Sequence, residues 1–373
     1  MVRHFPVFYT LRICWGGDEM NNDRKNIFIF LIIIFIIIFI ALYAYFSYIE
    51  KAEKAEFNSR INEYNARIEN KKAEEEAQEE KRTRLLEETP GIACWGDGYT
   101  YGSYGNGDSY PYELQTLLNV EDYPYTVANM GVYGEDSLTV LGRTGAIPFT
   151  VKEGFKIEGT GEDLIPFNIT SENGEEVNPC IQDYNPGFNP CIVAGVDCTI
   201  YGAVANTDTT RAEIYYLSRQ DGKNNIIDVP AGTKILTSGS VNYKNYINVL
   251  QVGDGGGYSD DDELLEQQIR FAESFGESEK YLIIGRLMGS DEDNEYLDEV
   301  MEEEFGDHYV NVRKLLTRTE IEGVSYSESD RTDMKKGIIP QCLKNENYLN
   351  SDGYKAVGKI VYEKIKSLNL ISK

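Results

Sequence analysis

Histidine is almost missing from this chain: His4 and His308 are the only two in 373 residues. That scarcity excludes a site built from several imidazoles. Basic residues are also in deficit, 36 against 62 acidic ones, for a formal net charge of −26. So large an excess repels nucleic acid and anionic lipid, which excludes a DNA- or RNA-binding role; solubility alone accounts for it. The six cysteines show no zinc-ligand spacing, and neither a metal nor a cofactor is expected. Between Ser47 and Glu88 there is neither proline nor glycine, so nothing there interrupts a helix before Thr89-Pro90-Gly91.

What is present begins with Ile27–Phe46, 20 residues without a charge and dominated by Ile and Phe. As a helix it covers roughly 30 Å, enough to cross a bilayer core. It lacks the cleavage site of a secretory signal and reads as an uncleaved signal-anchor. Arg3, Arg12, Arg24 and Lys25 precede it; Lys51, Lys54 and Arg60, mixed with glutamates, follow. This bias favours a cytoplasmic segment 1–26, a transmembrane helix 27–46 and an extracytoplasmic C-terminal body, single-pass in the cell membrane. Segment 47–90 reads as a charged helical stalk. Phe57, Ile61, Tyr64 and Ile68 form a coiled-coil-like seam about two heptads long, which suits weak self-association; a solvated single helix or a charged linker is the other reading.

From Gly91 the pattern changes. Ile92-Ala93-Cys94-Trp95 is a short apolar run that stops at Gly96-Asp97-Gly98, and a helix over Pro111–Asn119 follows. Strands at Tyr125–Asn129, Ile247–Val252, Tyr281–Gly285 and Tyr309–Val312 alternate with helices at Asp136–Arg143, Asp261–Phe275, Asn294–Phe305 and Ser351–Leu368. That alternation predicts a parallel, doubly wound α/β sheet whose site lies at the carboxyl ends of the strands. Residues 146–246 break the pattern with short β-branched and aromatic runs, read as a β-rich insert between 91–145 and 247–373. Asp221-Gly222 reads as a hairpin turn within it. Cys180 and Cys191, each after Asn-Pro, are a disulfide candidate if the body lies outside the cell; sequence does not fix the pairing.

Four blocks in this body resemble those of the SGNH (GDSL-type) hydrolases. They are CWGDGYTYG at Cys94–Gly102, NMGVYGEDSLTVLGR at Asn129–Arg143, VGDGGGYSDDDELLEQQ at Val252–Gln268, and IIPQCLKNENYLNSDGYKAVGKIVYEKI at Ile338–Ile365. The resemblance implies a flavodoxin-like three-layer fold and an ester hydrolase active on carbohydrate. It also implies where the chemistry should sit. The family's serine nucleophile falls on Gly98, its oxyanion asparagine on Gly255, its aspartate on Asn345 and its histidine on Tyr348; Gly134 alone keeps a backbone N–H role. Glycine offers no nucleophile, and a phenol with a pKa near 10 is a poor base at neutral pH. Independently of that mapping, His308 immediately precedes the strand at Tyr309 and so belongs at the amino end of the sheet, away from the expected site.

The expectation is a catalytically impaired, membrane-anchored pseudoenzyme that binds cell-envelope or dietary glycan. Its candidate binding residues are Asp97, Tyr99, Tyr101, Gly134, Asp254 and Tyr348; Tyr104 and Tyr110 share the same glycine-rich loop. Aromatic rings with free hydroxyls suit stacking on sugars. Two alternatives stand beside it. One is an active carbohydrate esterase working through Thr100, Ser103, Ser109 or Ser137, whose hydroxyls equally suit caps and turns. The other is a structural surface protein; an Ile/Asn/Lys/Tyr-rich chain with a signal-anchor is compatible with a bacterial surface. The run Asp260–Glu263, with Asp97, Asp136 and Asp254, offers oxygen ligands, but acids opening a helix serve its N-cap and dipole.

Overall fold

The computed structural model describes residues 29–49, scattered positions between 51 and 72, and then 91–177, 179, 185–203, 212 and 214–372. The chain divides into two units, Met1–Glu76 and Ala77–Lys373. In the first, helix α1 spans Ile29–Ile49, 21 residues whose length and apolar character suffice to cross a membrane. It is shifted two to three residues from the expected 27–46. Of the coiled-coil seam, Ile68 is helical and exposed, while Phe57, Ile61 and Tyr64 lie outside the described residues.

The second unit opens with β1 (Gly91–Gly96), α2 (Gly98–Tyr101), α3 (Tyr110–Val120), β2 (Thr126–Gly131) and α4 (Ser137–Thr144). It closes with β12 (Ile247–Gln251), α6 (Asp261–Glu273), β13 (Tyr281–Ile284), α7 (Glu295–Phe305), β14 (Tyr309–Val310), α8 (Val312–Arg318), α9 (Glu328–Lys335), β15 (Lys344–Asn345), β16 (Tyr348–Leu349) and α10 (Ser351–Ser367). Five of these strands form one parallel sheet in the order β14-β13-β12-β1-β2. Read from the β2 edge in order of first appearance, this is the doubly wound 2-1-3-4-5 arrangement, with its switch point between β1 and β12.

Alternation along the strands makes the two faces. Ile92 and Cys94 of β1, Val249 of β12 and Ile284 of β13 pack with Leu114, Leu118, Leu316, Val357 and Val361, from α3, α8 and α10. Ala93, Trp95, Leu250 and Ile283 turn the other way, onto Leu138, Leu264, Phe271, Leu297 and Met301 of α4, α6 and α7. Helices on both faces give three layers, and every one of these apolar side chains is nearly solvent-free.

Residues between α4 and β12 build β3 (Phe149–Val151), β4 (Phe155–Ile157), β5 (Ile165–Phe167), β6 (Ile169–Ser171), β7 (Cys191–Val193), β8 (Val196–Ala203), β9 (Ile214–Arg219), β10 (Ile227–Val229) and β11 (Ile235–Leu236), then helix α5 (Ser238–Asn242). Strands β11-β7-β8-β9-β5 make an antiparallel sheet, and β3–β6 and β4–β10 pair separately. Its core residues, Phe149, Phe188, Val193 and Ile200 among them, belong to the same apolar cluster as Trp95.

Two readings of the sequence are corrected. Asp221-Gly222 does not close a hairpin, because β9 pairs with β8 and β5 while β10 pairs with β4. The Asp221 carboxylate instead accepts from the Arg219 guanidinium, which also reaches the Asn225 carbonyl, and this pairing holds its pKa below the usual range. The strand expected through Val312 stops at Val310: Asn311 caps α8 by accepting from the Lys314 N–H at 2.9 Å. Cys191 and Cys198 face each other across β7 and β8, both free and buried; Cys180 lies outside the described residues.

Candidate functional site

Two loops leave the carboxyl ends of β1 and β12 at the switch point, and each delivers a carboxyl group. Asp97 ends β1 and caps α2, its Oδ1 accepting from the Tyr99 N–H at 2.9 Å. Asp254 follows β12; its Oδ1 accepts from the Met288 N–H at 2.8 Å, and its Oδ2 from the Leu287 N–H and the Gln251 amide, each at 3.0 Å. A third loop, after β2, brings Tyr133, Gly134 and Glu135. Gly134 sits at φ 85°, a left-handed position that a side chain strains. The hairpin β15–β16 covers the opening with Glu346, Asn347 and Tyr348.

Together with Gly98, Tyr99, Tyr104, Gly255 and Met288 these residues line a pocket of about 310 Å³. Of the residues expected there, Asp97, Gly98, Tyr99, Gly134, Asp254, Gly255 and Tyr348 converge on it. Tyr101 does not: its backbone backs onto Gly131 and its side chain is exposed. Tyr110 is buried beneath the loop, its hydroxyl 3.5 Å from Thr100 Oγ1. Asn345 pairs with Tyr348 across the hairpin but is exposed, its amide donating to the Tyr104 carbonyl.

Tyr348 is the centre of the pocket wall. Its ring stacks on Tyr104 (centroids 5.5 Å apart, 11° between planes) and tilts against Tyr99 at 4.9 Å and Tyr133 at 6.0 Å. A Cβ on Gly98 would lie 2.7 Å from Tyr348 Cε1 and 2.8 Å from its hydroxyl oxygen, closer than real Cβ contacts come. A Cβ on Gly255 would lie 2.7 Å from the Glu135 carbonyl oxygen and 3.2 Å from Asp97 Oδ2. The spaces a serine at 98 and an asparagine at 255 would need are therefore filled, one by a ring and the other by backbone.

Electrostatics follow from burial. Asp97 is pushed up to about 8, first by desolvation, then by the neighbouring Asp254 carboxylate and more weakly by Glu135. Desolvation also lifts Asp254 above the usual carboxylate range, against its two backbone N–H donors. Burial, with Asp97 behind it, pushes the Tyr348 phenol up to about 12. Glu135 differs: its Oε2 accepts from Arg143 Nε at 2.7 Å, and Arg143 also donates to the carbonyls of Met130 and Pro186. Glu135 and Tyr133 escaped sequence reasoning, although they flank Gly134 inside the block that identified it.

The remaining candidates have structural partners. His308 lies at the amino end of the sheet, its Nδ1 2.9 Å from the Tyr281 carbonyl oxygen and its ring stacked on Tyr281. Ser109 caps α3, Ser137 donates to Gln267 at 2.6 Å, and Thr100 donates to the Trp95 carbonyl. Asp136 and Asp260 cap α4 and α6. Ser103 Oγ is buried with no partner among the described residues, and it does not line the pocket.

No protein-family model and no curated protein matches the chain. A solved structure described as "Peptidoglycan O-acetylesterase in action, 5 min" is similar over 78% of this chain and 95% of its own, at 11% identity and a TM-score of 0.24. That likeness is too slight to bear on the pocket's chemistry.

Proposed function

We propose that the chain is an SGNH-hydrolase-like protein whose acyl-transfer chemistry is gone and whose pocket binds glycan of the cell envelope or diet, held at a membrane by α1. The observation that carries this reading is the interlock of Gly98 and Tyr348. In the family resembled, those two positions hold the attacking hydroxyl and the base that takes its proton. Here one phenol stands at the base position and reaches over the other, and with its pKa pushed up to about 12 it holds its proton at neutral pH. Loss of either member of such a pair costs orders of magnitude in rate, since they act as a unit. Support for binding comes from the four tyrosines of the pocket wall and from a volume of about 310 Å³, which suits one sugar ring.

The test uses the full chain in detergent micelles with p-nitrophenyl acetate, acetylated xylan and a fluorophosphonate probe. Turnover equal to a buffer blank and no labelled serine are expected. Labelling of a mappable serine with matching turnover overturns the reading in favour of an esterase. Failure to retain any sugar on a glycan array overturns it in favour of a structural surface protein.

A further inference from the structure

Away from the pocket, the two faces of the parallel sheet sort the four cysteines among the described residues into pairs. Cys94 and Cys342 pack in the apolar cluster of α3 and α10. Cys191 and Cys198 pack in the other, with Trp95 and the core of the β-rich segment. The chain itself brings the second pair together. Ala194 and Gly195, at φ 51° and 76°, make a two-residue turn, so β8 runs back along β7. Val193 then stands opposite Val196, Ile192 opposite Asp197, and Cys191 opposite Cys198. Alternation puts both valines and both cysteines on one face, where none is more than 1% exposed, while Asp197 is exposed on the other.

Directly opposed residues of an antiparallel pair have Cα atoms about 4.5–5.5 Å apart, inside the range of about 4.4–6.8 Å that a disulfide bridges. Their Cβ atoms leave the sheet on the same side. Each thiol makes only weak bonds close by in its own chain: Cys191 Sγ is 3.1 Å from the Phe188 carbonyl oxygen, and Cys198 Sγ is 3.3 Å from that of Val196. Turning each sulfur from its carbonyl to the facing sulfur gives up little, since S–H is a weak donor. Burial pushes both thiols up, Cys198 to about 12, so in the closed sheet neither offers a thiolate to an outside reagent. A bond between them forms while the hairpin is still open to water, before β11 and β9 pair with its two outer edges.

We infer that Cys191 and Cys198 are a modification site, joined by an oxidant that carries a disulfide of its own as the hairpin folds. One thiolate attacks a sulfur of that oxidant, making a mixed disulfide and releasing one thiol; the facing thiolate then attacks the mixed disulfide at the chain's own sulfur and releases the second. Two thiols of the chain become one S–S bond, the oxidant's disulfide becomes two thiols, and both protons pass to them. Such oxidants act outside the cytosol, the side of the membrane that the Lys and Arg bias favours for the body. The position gives the bond a task. Just before β7, the carbonyls of Gly187 and Phe188 accept from the N–H groups of Gly239 and Ser238, and Gly187 and Gly239 both press on the outer edge of the Trp95 indole. Clamping β7 to β8 pins one half of that cover in place.

The experiment refolds the full chain from urea into detergent micelles, once with a mixture of oxidised and reduced glutathione and once with reductant alone. Free thiols are then blocked with N-ethylmaleimide in denaturant. Asp-N protease cuts before Asp183 and Asp197, which leaves Cys180, Cys191 and Cys198 on three separate fragments for mass spectrometry before and after reduction. After the glutathione refolding, most of the chain should yield the Cys191 and Cys198 fragments as one linked pair, with Cys180 outside it. That chain should also unfold at a higher urea concentration than the reduced one, by tryptophan fluorescence. Cys191→Ala and Cys198→Ala should each show one midpoint under both conditions. The mass measurement on the parent chain stands whether or not these variants fold. Recovery of Cys191 and Cys198 as maleimide or glutathione adducts, a linkage of Cys180 to either, or equal midpoints for the two refolded parent chains overturns the inference.

Discussion

Two sides of the pocket each bury a carboxyl group, and the chain holds them in opposite ways. Glu135 is wrapped by Arg143, which is itself fully buried and also donates to the backbone carbonyls of Met130, Pro186 and Gly96. Asp298 is held in the same manner by Arg313, which also reaches the Gly337 carbonyl at 2.9 Å. Asp97, one loop away, has a cap bond and no cation. The first kind of carboxyl is a joint between segments, complete as it stands. The second is held by backbone N–H groups alone, with like charge beside it, and its carboxyl is pushed up to about 8.

Breaking the joint should have the largest effect. Arg143→Ala leaves Glu135 buried without its counterion and frees three carbonyls, at a cost of about 3–5 kcal/mol. Urea unfolding followed through Trp95 fluorescence would read it, and Glu135→Gln in the same chain should recover part of the loss. Next comes the interlock. Gly98→Ser forces a Cβ against Tyr348 and should cost about 1–3 kcal/mol. In a Tyr348→Ala background the same substitution should cost much less, a coupling that a double-mutant cycle measures. Neither variant should hydrolyse p-nitrophenyl acetate, since no base is restored.

The smallest effect sharpens the Asp97 side. Asp97 titrates at about 8 when folded against an ordinary 3.8, so across that window the folded chain binds the extra proton. Stability should therefore fall as pH rises from about 4 to about 8 and level off above. Asp97→Asn removes that contribution while Asp254, raised in the same direction, keeps its own. The variant should be less pH-dependent and more stable than the parent at pH 9, by thermal unfolding in matched buffers.

Much of the parallel sheet was legible because its signals are local. Ile92–Trp95 and Ile247–Gln251 are apolar runs cut off by glycine turns, and each became a buried central strand. What stayed hidden depends on distant partners. The order β11-β7-β8-β9-β5 pairs residues up to about fifty positions apart, and no turn signal encodes it. Asp221-Gly222 misled for that reason: the chain bends there, with the Lys223 N–H donating to Asp221 Oδ1, yet the strands on either side choose other neighbours. Helix α8 was readable as Asn311 preceding Val-Arg-Lys-Leu-Leu, but β-branched neighbours favoured extending the strand. At the site, residue identity showed what Gly98 and Tyr348 are unable to do. That one stands in the space the other leaves required geometry, as did the tie between Glu135 and an arginine eight residues on.

The indole of Trp95 has its own consequence. Its Nε1 donates to Asn248 at 2.8 Å, while its outer edge lies beneath Gly187 and Gly239, which leave no room for a Cβ. The described residues around Gly187 and Gly239 are thus the roof over a central strand, and cutting them away would open its indole to water. Residues 91–372 should accordingly melt in one step, with calorimetric and van't Hoff enthalpies in agreement, and a protease nick in the roof should loosen the pocket at the carboxyl end of the strand.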